Sequence, residues 1–384
     1  MIQNIQFILN NLSVIDLVLL AVFHILFMLR MIYIFFFTGK LLFGKKEYIH
    51  SENNSSLSLI LTVRNEEENL KNNLPKILAI KNVNFEVIAV DDFSQDNSFL
   101  VLGELRKKNK HLKISTLNQE TRYSIKHSQN IALKAAKNDW VIPISVAVPE
   151  FSEKWLQNFA KSTVEGKTVV IAYSGITESN EFYNRMIRIE SFFLQLKSAG
   201  FILNQLPFVY SEENVAFRKS EYFEKKGFGQ HLNNPFANLE LIINSFITKA
   251  STILLFNRDS ALRKTGLDSK KDYFELVKKS IRIEDTLSHR IKSVLIFDEI
   301  TRILFFPFSI ISLVFMPELW PLFLIIHGSK ILVYLLIIKT IQNGLNESKI
   351  YVSSLIYDLI MPYFRIIYKW HFNWRSKKKW RGKT

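Results

Sequence analysis

The sequence has no cysteine in its 384 residues, so neither disulfide bonds nor thiolate chemistry can occur. It also lacks a glycine-rich phosphate loop, because the patterns G-x-G-x-x-G and G-x-x-x-x-G-K-[ST] are both absent. A Rossmann dinucleotide site and a P-loop nucleotide site are therefore not expected. The absence of cysteine is compatible with a cytosolic protein.

Acidic residues are outnumbered by basic ones, with 35 Asp and Glu against 50 Lys and Arg, which gives a net charge of +15. The densest basic segment is the C-terminal KWHFNWRSKKKWRGK, which directly follows hydrophobic segments. This position favours membrane lipids with anionic headgroups as partners. It argues against nucleic-acid binding, because a module that reads phosphates carries its basic face on a soluble domain.

Long hydrophobic runs are confined to the two ends of the chain, whereas residues 45–300 have ordinary globular polarity. Residues 17–37 predict a transmembrane helix. A cleaved signal peptide is disfavoured, because no Lys or Arg precedes the run and no small-residue cleavage site follows it. Lys40, Lys45 and Lys46 follow directly, so the positive-inside preference predicts a cell (inner) membrane protein with its soluble domain in the cytosol.

The C-terminal hydrophobic region predicts several membrane helices. Residues 303–315 and 322–338 are separated by MPELWP, which predicts a helical hairpin. A third stretch, residues 351–368, contains Asp358 and Arg365 and could span the membrane, re-enter it or lie in its interface. The interfacial arrangement is favoured, because three C-terminal spans would place the basic tail outside the cell.

Residues 57–146 alternate between short apolar strands and segments with helical spacing. This alternation predicts right-handed crossovers and a largely parallel sheet, with ligands bound beyond the carboxyl ends of the strands. Asp91 and Asp92 follow the second strand, where they are either ligand-binding residues or turn formers and helix caps. The predicted strands cover residues 57–63, 85–90, 112–117 and 140–146, and the predicted helices cover residues 66–80, 98–108 and 128–137.

The series SLILTVRNEEENL, EVIAVDDFSQDNS and SQNIALKAAKNDWVI resembles the nucleotide-binding half of family 2 glycosyltransferases. The segment PFVYSEENVAFRKSEYFEKKGFGQHL resembles a segment of the membrane-bound members, and the likeness covers about residues 56–285. The resemblance implies an α/β fold of the GT-A type: a mixed, mostly parallel sheet flanked by helices, with transmembrane helices at both ends. The predicted domains are an N-terminal anchor (1–45), a cytosolic GT-A domain (46–298), C-terminal membrane helices (299–370) and a basic tail (371–384).

The resemblance also implies a nucleotide-sugar donor, of the UDP type, bound by polar residues in the first half of the domain. A carboxylate there accepts hydrogen bonds from the base or the ribose hydroxyls. The implied nucleotide-binding residues are Thr62, Arg64 and Glu66 after the first strand, Asp91 and Asp92 after the second, and Lys126.

Two family motifs that hold the diphosphate are replaced in this sequence. The family writes D-x-D where this chain reads NDWVIPISVAVPE, with no acidic residue between Asp139 and Glu150. Ser145 alone is a poor ligand for a divalent cation, so no metal site is expected. In PFVYSEEN, Glu212 and Glu213 stand where glycines and an arginine are usual, and their charges would repel a diphosphate.

Two further motifs, for the catalytic base and for the acceptor, are also changed. The family's acidic cluster aligns with residues 237–240, where Asn238 replaces a carboxylate. Glu240 could act as the base if its longer side chain reaches the same point; otherwise it is a solvated helix residue. The Q-x-x-R-W element aligns with KKDYFELVKKSIRI, in which Arg282 is retained as a candidate catalytic residue. Lys278, Lys279 and Arg282 could equally form the polar face of an amphipathic helix along the membrane.

These four departures predict a membrane-anchored, catalytically degenerate glycosyltransferase that serves as a binding or scaffolding partner in polysaccharide or glycolipid assembly. The partner would be another protein of a glycan assembly system. The alternative is an active, metal-independent transferase, in which Lys278, Lys279 or Arg282 replaces the cation and Glu240 is the base. A membrane protein of unrelated role, which shares only the alternating pattern, is the third interpretation.

Overall fold

The computed structural model describes residues 13–43, 55–120, 125–229 and 238–381, except for the side chains of Tyr351 and residues 372–381. The described residues form two compact units. One unit, here called the α/β unit, lies within Gly44–Leu287 and Gly344–Glu347, and the other, the helical unit, contains the remainder. The boundary lies at Leu287, before the predicted boundary at residue 298, because a new helix begins at His289.

The α/β unit contains a seven-stranded sheet with the strand order β3-β2-β1-β4-β8-β6-β9. Strands β1 to β4 pair in parallel, β8 runs antiparallel to β4 and β6, and β9 is parallel to β6. The strands are β1 (Leu57–Val63), β2 (Phe85–Asp91), β3 (Leu112–Thr116), β4 (Trp140–Ile144), β6 (Val169–Ala172), β8 (Val215–Arg218) and β9 (Thr252–Leu255). A smaller sheet, with the order β5-β10-β7, contains β5 (Glu150–Phe151), β7 (Ser174–Ile176) and β10 (Leu262–Lys264).

Helices cover the sheet and connect its strands. Helices α3, α4 and α5 supply the crossovers between β1, β2, β3 and β4, as the alternating pattern predicts. Helix α10 begins with a capping box, in which Ser269 and Asp272 each accept the other's backbone N–H. The helices of this unit are α3 (Glu67–Leu78), α4 (Ser98–Lys108), α5 (Ile125–Ala135), α6 (Trp155–Ser162), α7 (Phe182–Leu203), α8 (Lys219–Glu224), α9 (Leu239–Phe246) and α10 (Lys270–Thr286).

The core of this unit follows from the apolar strand sequences. In β1, six of the seven residues of LSLILTV are buried and only Thr62 is partly exposed. Such continuous burial is typical of a central parallel strand covered by helices on both faces. The carboxyl ends of β1, β2 and β4 therefore meet at one edge of the sheet, where Arg64, Asp92 and Ser145 follow them.

The helical unit contains four long helical segments. The first comprises α1 (Val14–Tyr33), a π-helical stretch (Ile34–Gly39) and α2 (Lys40–Phe43). The other three are α11 (His289–Phe315), α12 (Trp320–Leu345) and α13 (Tyr351–Arg381). Two regions, Val14–Phe43 and Pro317–Leu345, are long and apolar enough to cross a membrane by length and composition. The short turn at Pro317–Leu319 connects α11 and α12, as the predicted hairpin requires.

Candidate functional site

A cavity of about 260 Å³ opens at the carboxyl ends of β1 and β4. It brings together three of the predicted nucleotide-binding residues, Thr62, Arg64 and Glu66, which line one wall. Ser145 lines the wall formed by β4. The remaining polar lining comes from the C-terminal half of the unit and consists of Glu212, Glu213 and Lys264.

The loops that follow β1 and β2 are tied to each other by hydrogen bonds. The Asn65 backbone N–H donates to Ser94 Oγ at 3.0 Å, and the Gln95 backbone N–H donates to Asn65 Oδ1 at 2.8 Å. Asn65 has a φ of 55°, a left-handed conformation that asparagine tolerates better than most residues. These bonds fix the backbone directly after Arg64, whose side chain is partly exposed and pairs with Glu120 at 2.6 Å.

Asp91 and Asp92 are both buried at the end of β2. Asp91 Oδ2 accepts hydrogen bonds from Thr116 Oγ1 at 3.2 Å and from the Ser94 backbone N–H at 3.3 Å. Asp91 Oδ1 is also buried, but it has no hydrogen-bond partner among the described residues. The turn-forming role is therefore real, and one carboxylate oxygen is still left to accept a donor from a ligand. Among the described residues, neither aspartate lines the cavity itself.

The residues at this edge do not fit a divalent cation. Ser145 Oγ already accepts the Ala147 backbone N–H at 3.2 Å. In the part of the chain that the structure describes, no three His, Cys, Asp or Glu side chains come together as a possible metal site. Glu213 Oε1 faces the cavity but pairs with Lys264 Nζ at 2.6 Å, so an ammonium already compensates its charge.

Glu212, Glu240 and Lys279 form a buried charge cluster. Lys279 Nζ lies 3.0 Å from Glu212 Oε2 and 3.2 Å from Glu240 Oε1. Glu240 Oε1 also accepts the Asn238 backbone N–H at 2.8 Å. The Glu240 side chain is fully buried, so the structure does not place it as a solvated helix residue. Lys279 points into this cluster from α10 and is therefore not part of a solvent-facing polar surface of that helix.

The two carboxyl groups of this cluster have opposite pKa shifts. Burial and the neighbouring Glu212 carboxylate raise the pKa of Glu240 well above its usual range. Although burial opposes it, the Lys279 ammonium holds the pKa of Glu212 well below its usual range. If both carboxyl groups were ionised, neither could donate a hydrogen bond to the other. Glu240 Oε2 also has no hydrogen-bond partner among the described residues. A proton on Glu240 resolves this, because the carboxyl group can then donate a hydrogen bond to Glu212.

Asn214 holds the backbone that presents the two neighbouring glutamates. It is fully buried with a φ of 58°. Its amide nitrogen donates to the carbonyl oxygens of Tyr173 and Ser260, at 2.6 and 2.9 Å. Its amide oxygen accepts the indole N–H of Trp155 at 2.8 Å. Every polar atom of this side chain is therefore satisfied, and the segment before β8 is fixed in one conformation.

A second cavity, of about 430 Å³, adjoins the first and shares Glu213 and Lys264 with it. Lys279 also lines this second cavity, whereas Arg282 is not among the described residues that line either one. The predicted Lys126 is buried on α5, with its Nζ 5.9 Å from the centre of the Phe228 ring. Burial lowers the pKa of Lys126, and nearby Glu240 partly opposes this shift.

Lys264 is the site residue that sequence reasoning missed. It ends β10, a strand of only three residues in the smaller sheet, and pairs with a glutamate 51 positions earlier. No motif or periodicity marks such a residue, because its position depends on the second sheet being assembled. The same applies to the pairing between Glu212 and Lys279, which are separated by 67 positions.

Residues 58–223 match the model of glycosyl transferase family 2. No curated protein matches the sequence significantly. Among solved structures, this chain is similar to the mannosyltransferase PcManGT from Pyrobaculum calidifontis, which was solved in complex with GDP-Man and Mn2+. The similarity covers 90% of this chain and 99% of the mannosyltransferase, with a TM-score of 0.54 and 13% sequence identity. S. aureus TarS 1-349 in complex with UDP is similar over 65% of this chain and 70% of its own, with a TM-score of 0.42 and 18% identity.

The first of these structural similarities carries weight for the fold alone, because only 13% of residues are identical. It agrees with the strand order and the mixed, mostly parallel sheet described above. The fold class predicted from the sequence is therefore confirmed, together with apolar helices near both ends that are long enough to span a membrane.

Proposed function

Since residues 58–223 match the model of glycosyl transferase family 2, we propose that this chain is a membrane-anchored, glycosyltransferase-like protein of polysaccharide or glycolipid assembly. In this proposal the nucleotide-binding half is retained and catalysis is lost. The ligand is a nucleoside diphosphate or a nucleotide-sugar, of the UDP type. The protein is held in the cell (inner) membrane with its α/β unit in the cytosol, where it serves a partner protein of a glycan assembly system.

The observation that carries this proposal is the state of the carboxyl groups at the site. A general base must be unprotonated and must reach the acceptor hydroxyl. Glu240 is fully buried, and burial together with the neighbouring Glu212 carboxylate raises its pKa, which favours the protonated form over the basic one. Asn238, at the position aligned with a family carboxylate, has an amide side chain that cannot take up a proton. The environment of Glu240 and the amide of Asn238 thus support a site that has lost its general base.

Retention of nucleotide binding is supported by the first cavity and by Asp91. The cavity of about 260 Å³ is lined by Thr62, Arg64 and Glu66, and it lies where open α/β sheets bind their ligands. Asp91 Oδ1 is a buried acceptor without a partner among the described residues. An unpaired buried acceptor costs about 1 to 3 kcal/mol, and a base N–H or a ribose hydroxyl would remove that cost.

A second candidate function is an active, metal-independent transferase. It is favoured by Lys264, which lies between the two cavities and could neutralise a diphosphate in place of a cation. The pairing of Lys264 with Glu213 at 2.6 Å weighs against this role, because a diphosphate would have to displace the carboxylate. We therefore prefer the degenerate protein.

The test is calorimetric titration of the full-length, detergent-solubilised protein with UDP, UDP-sugars and GDP-mannose, first with Mn2+ and then with excess chelator. We expect at least one nucleotide to bind with an affinity that the chelator leaves unchanged. Asp91→Asn should weaken that binding about tenfold, because a charged acceptor is lost. Asp259→Asn, an exposed position outside both cavities, is the matched control and should bind as the wild type does.

Product analysis under the same conditions separates the two candidate functions. Absence of donor hydrolysis and of transfer supports the degenerate protein. Hydrolysis that persists in chelator and is lost in Glu240→Gln would establish the active transferase instead. If no nucleotide binds under either condition, the retained nucleotide site is wrong.

A further inference from the structure

Helix α13 combines a buried polar face with an exposed apolar one. Its buried residues include Ser353, Ser354, Asp358 and Arg365. Its exposed residues form a stripe of Val352, Ile356, Leu359, Ile360, Ile366, Ile367 and Trp370, each at least 40% accessible. A helix on the surface of a water-soluble protein shows the opposite arrangement.

The buried charge on α13 is compensated by three other helical segments. Asp358 lies 2.9 Å from Lys330 Nζ on α12, 3.0 Å from Arg302 Nε on α11 and 3.5 Å from Arg30 Nη2 on α1. Arg30 also pairs with Asp298 on α11 at 2.5 Å. Three of the charges that lower the mean hydropathy of α11 and α13, Asp298, Arg302 and Asp358, thus face the interior of the helical unit, where each has an opposite partner.

Helix α11 shows the same reversed polarity. It buries Asp298, Thr301, Ser309 and Ser312. Its exposed apolar stripe consists of Ile296, Phe297, Ile300, Leu304, Ile310, Ile311, Val314 and Phe315. Neither α11 nor α13 is long and apolar enough to pass as a membrane span by composition, because their interior charges count against them.

The lengths of both stripes match a bilayer. At about 1.5 Å per residue, the stripe on α13 is about 27 Å long and that on α11 about 29 Å, against about 30 Å for the hydrocarbon core. The Val14–Phe43 and Pro317–Leu345 spans are themselves mostly exposed, with only 22% and 33% of their apolar windows buried. All four helical segments therefore present apolar surface outward.

We infer that α11 and α13 are lipid-facing transmembrane helices, so that the described residues cross the membrane four times. The occupant of the α13 stripe is lipid acyl chain, since the apolar surface continues around all four segments and the charges of Asp298, Arg302 and Asp358 are paired inside. Trp370 ends the stripe at the position where an interfacial aromatic residue is expected. This replaces the interfacial position that charge alone favours for the third stretch, and it places the basic tail on the opposite side of the membrane from Lys40. The inference is independent of the proposed nucleotide site.

The test measures the membrane depth of three positions on α13. Because the chain has no cysteine, each single-cysteine variant carries one thiol for an environment-sensitive fluorophore. Val352→Cys and Ile367→Cys mark positions near the ends of the stripe, and Ile360→Cys lies midway between them. The full-length protein is reconstituted in phosphatidylcholine vesicles brominated either near the headgroup or near the acyl-chain terminus. Ile331→Cys on α12 is the deep control, and Leu100→Cys, exposed on α4, is the aqueous control.

We expect deep bromines to quench the label at Ile360 at least twice as strongly as the labels at Val352 and Ile367, and about as strongly as the label at Ile331. The two outer labels should respond mainly to shallow bromines. Equal quenching of all three labels by shallow bromines alone would show an interfacial helix and overturn the inference. Absence of lipid quenching, with energy transfer between labelled copies, would show that a second copy of the chain covers the stripe, and would overturn it as well.

Discussion

Replacing Lys279 by methionine tests the buried charge cluster most directly. The change removes the ammonium group that lies within 3.2 Å of both Glu212 and Glu240, while it keeps a side chain of similar length. Removing one partner of a buried ion pair typically costs about 3 to 5 kcal/mol, because the remaining charge has no compensation. For a unit of this size, each kcal/mol lowers the melting temperature by about 2 to 4 °C, so we expect a decrease of roughly 6 to 20 °C.

The assay is thermal unfolding of the full-length protein in detergent, followed by circular dichroism. The matched control is Lys271→Met on the same helix, where an exposed lysine lies 4.0 Å from Glu275. An exposed pair of this kind contributes little, so the control should melt close to the wild type. The double variant Lys279→Met/Glu212→Gln should recover most of the loss, because no unpaired carboxylate remains beside the protonated Glu240. Equal melting temperatures for Lys279→Met and Lys271→Met would refute the buried cluster.

Three further predictions concern other parts of the protein. The pKa of Glu240 is raised in the folded state, so the folded state holds a proton that the unfolded state releases above about pH 4.5. The free energy of unfolding should therefore fall as pH rises through the folded pKa. Melting curves of Glu240→Gln against pH should lack this fall. Asp358→Asn leaves three cations without their shared carboxylate and should cost about 3 to 5 kcal/mol, measured as loss of thermal stability in detergent. Asn214→Ala should lower the free energy of unfolding by about 3 kcal/mol or more, because buried hydrogen bonds are lost and alanine is strained at a left-handed φ. Asn214→Gly should lower it by about 1 kcal/mol less, because glycine adopts that φ without strain. Chemical denaturation of both variants measures the difference.

The sequence predicts the first half of the α/β unit well, because the signals there are local. The strand at Leu57–Val63 and the helix at Ser98–Lys108 have the predicted bounds, and the other strands of the alternating region differ by at most two residues. Helix α5 begins three residues earlier than predicted, at Ile125. The position of Thr62, Arg64 and Glu66 at the sheet edge was predictable, because they end one strand and begin the next loop. Their role in nucleotide binding, which the family resemblance implies, stays a prediction.

The second half of the site was less predictable, because its residues meet only in the folded chain. Glu212 and Glu213 were recognised as negative charges at the diphosphate position, but the lysines that compensate them could not be assigned. Lys279 comes from a helix and Lys264 from a separate sheet. The expected repulsion of a diphosphate is therefore weaker than the two glutamates alone suggest. Whether Glu240 or Arg282 acts in catalysis stays a prediction that the proposed product analysis addresses.

The membrane segments show a different limit of sequence reasoning. Mean hydropathy counts each residue by itself, so Asp358 makes α13 look unsuited to a bilayer. The structure shows this carboxylate beside Lys330, Arg302 and Arg30. Such compensation depends on residues up to 328 positions away, and no window of adjacent residues contains them.

The shared carboxylate of Asp358 also has a consequence for biogenesis. A ribosome synthesises Arg30, Arg302 and Lys330 before Asp358, so three helices carrying cations reach the translocation channel before the helix that carries their shared anion. An aspartate at the centre of a lone helix costs about 2.5 to 3.5 kcal/mol to insert. The last helix is therefore expected to enter the bilayer together with its predecessors rather than alone. A chain terminated just before α13 would leave Arg302 and Lys330 without the carboxylate of Asp358, and quality-control proteases should remove it faster than the complete protein.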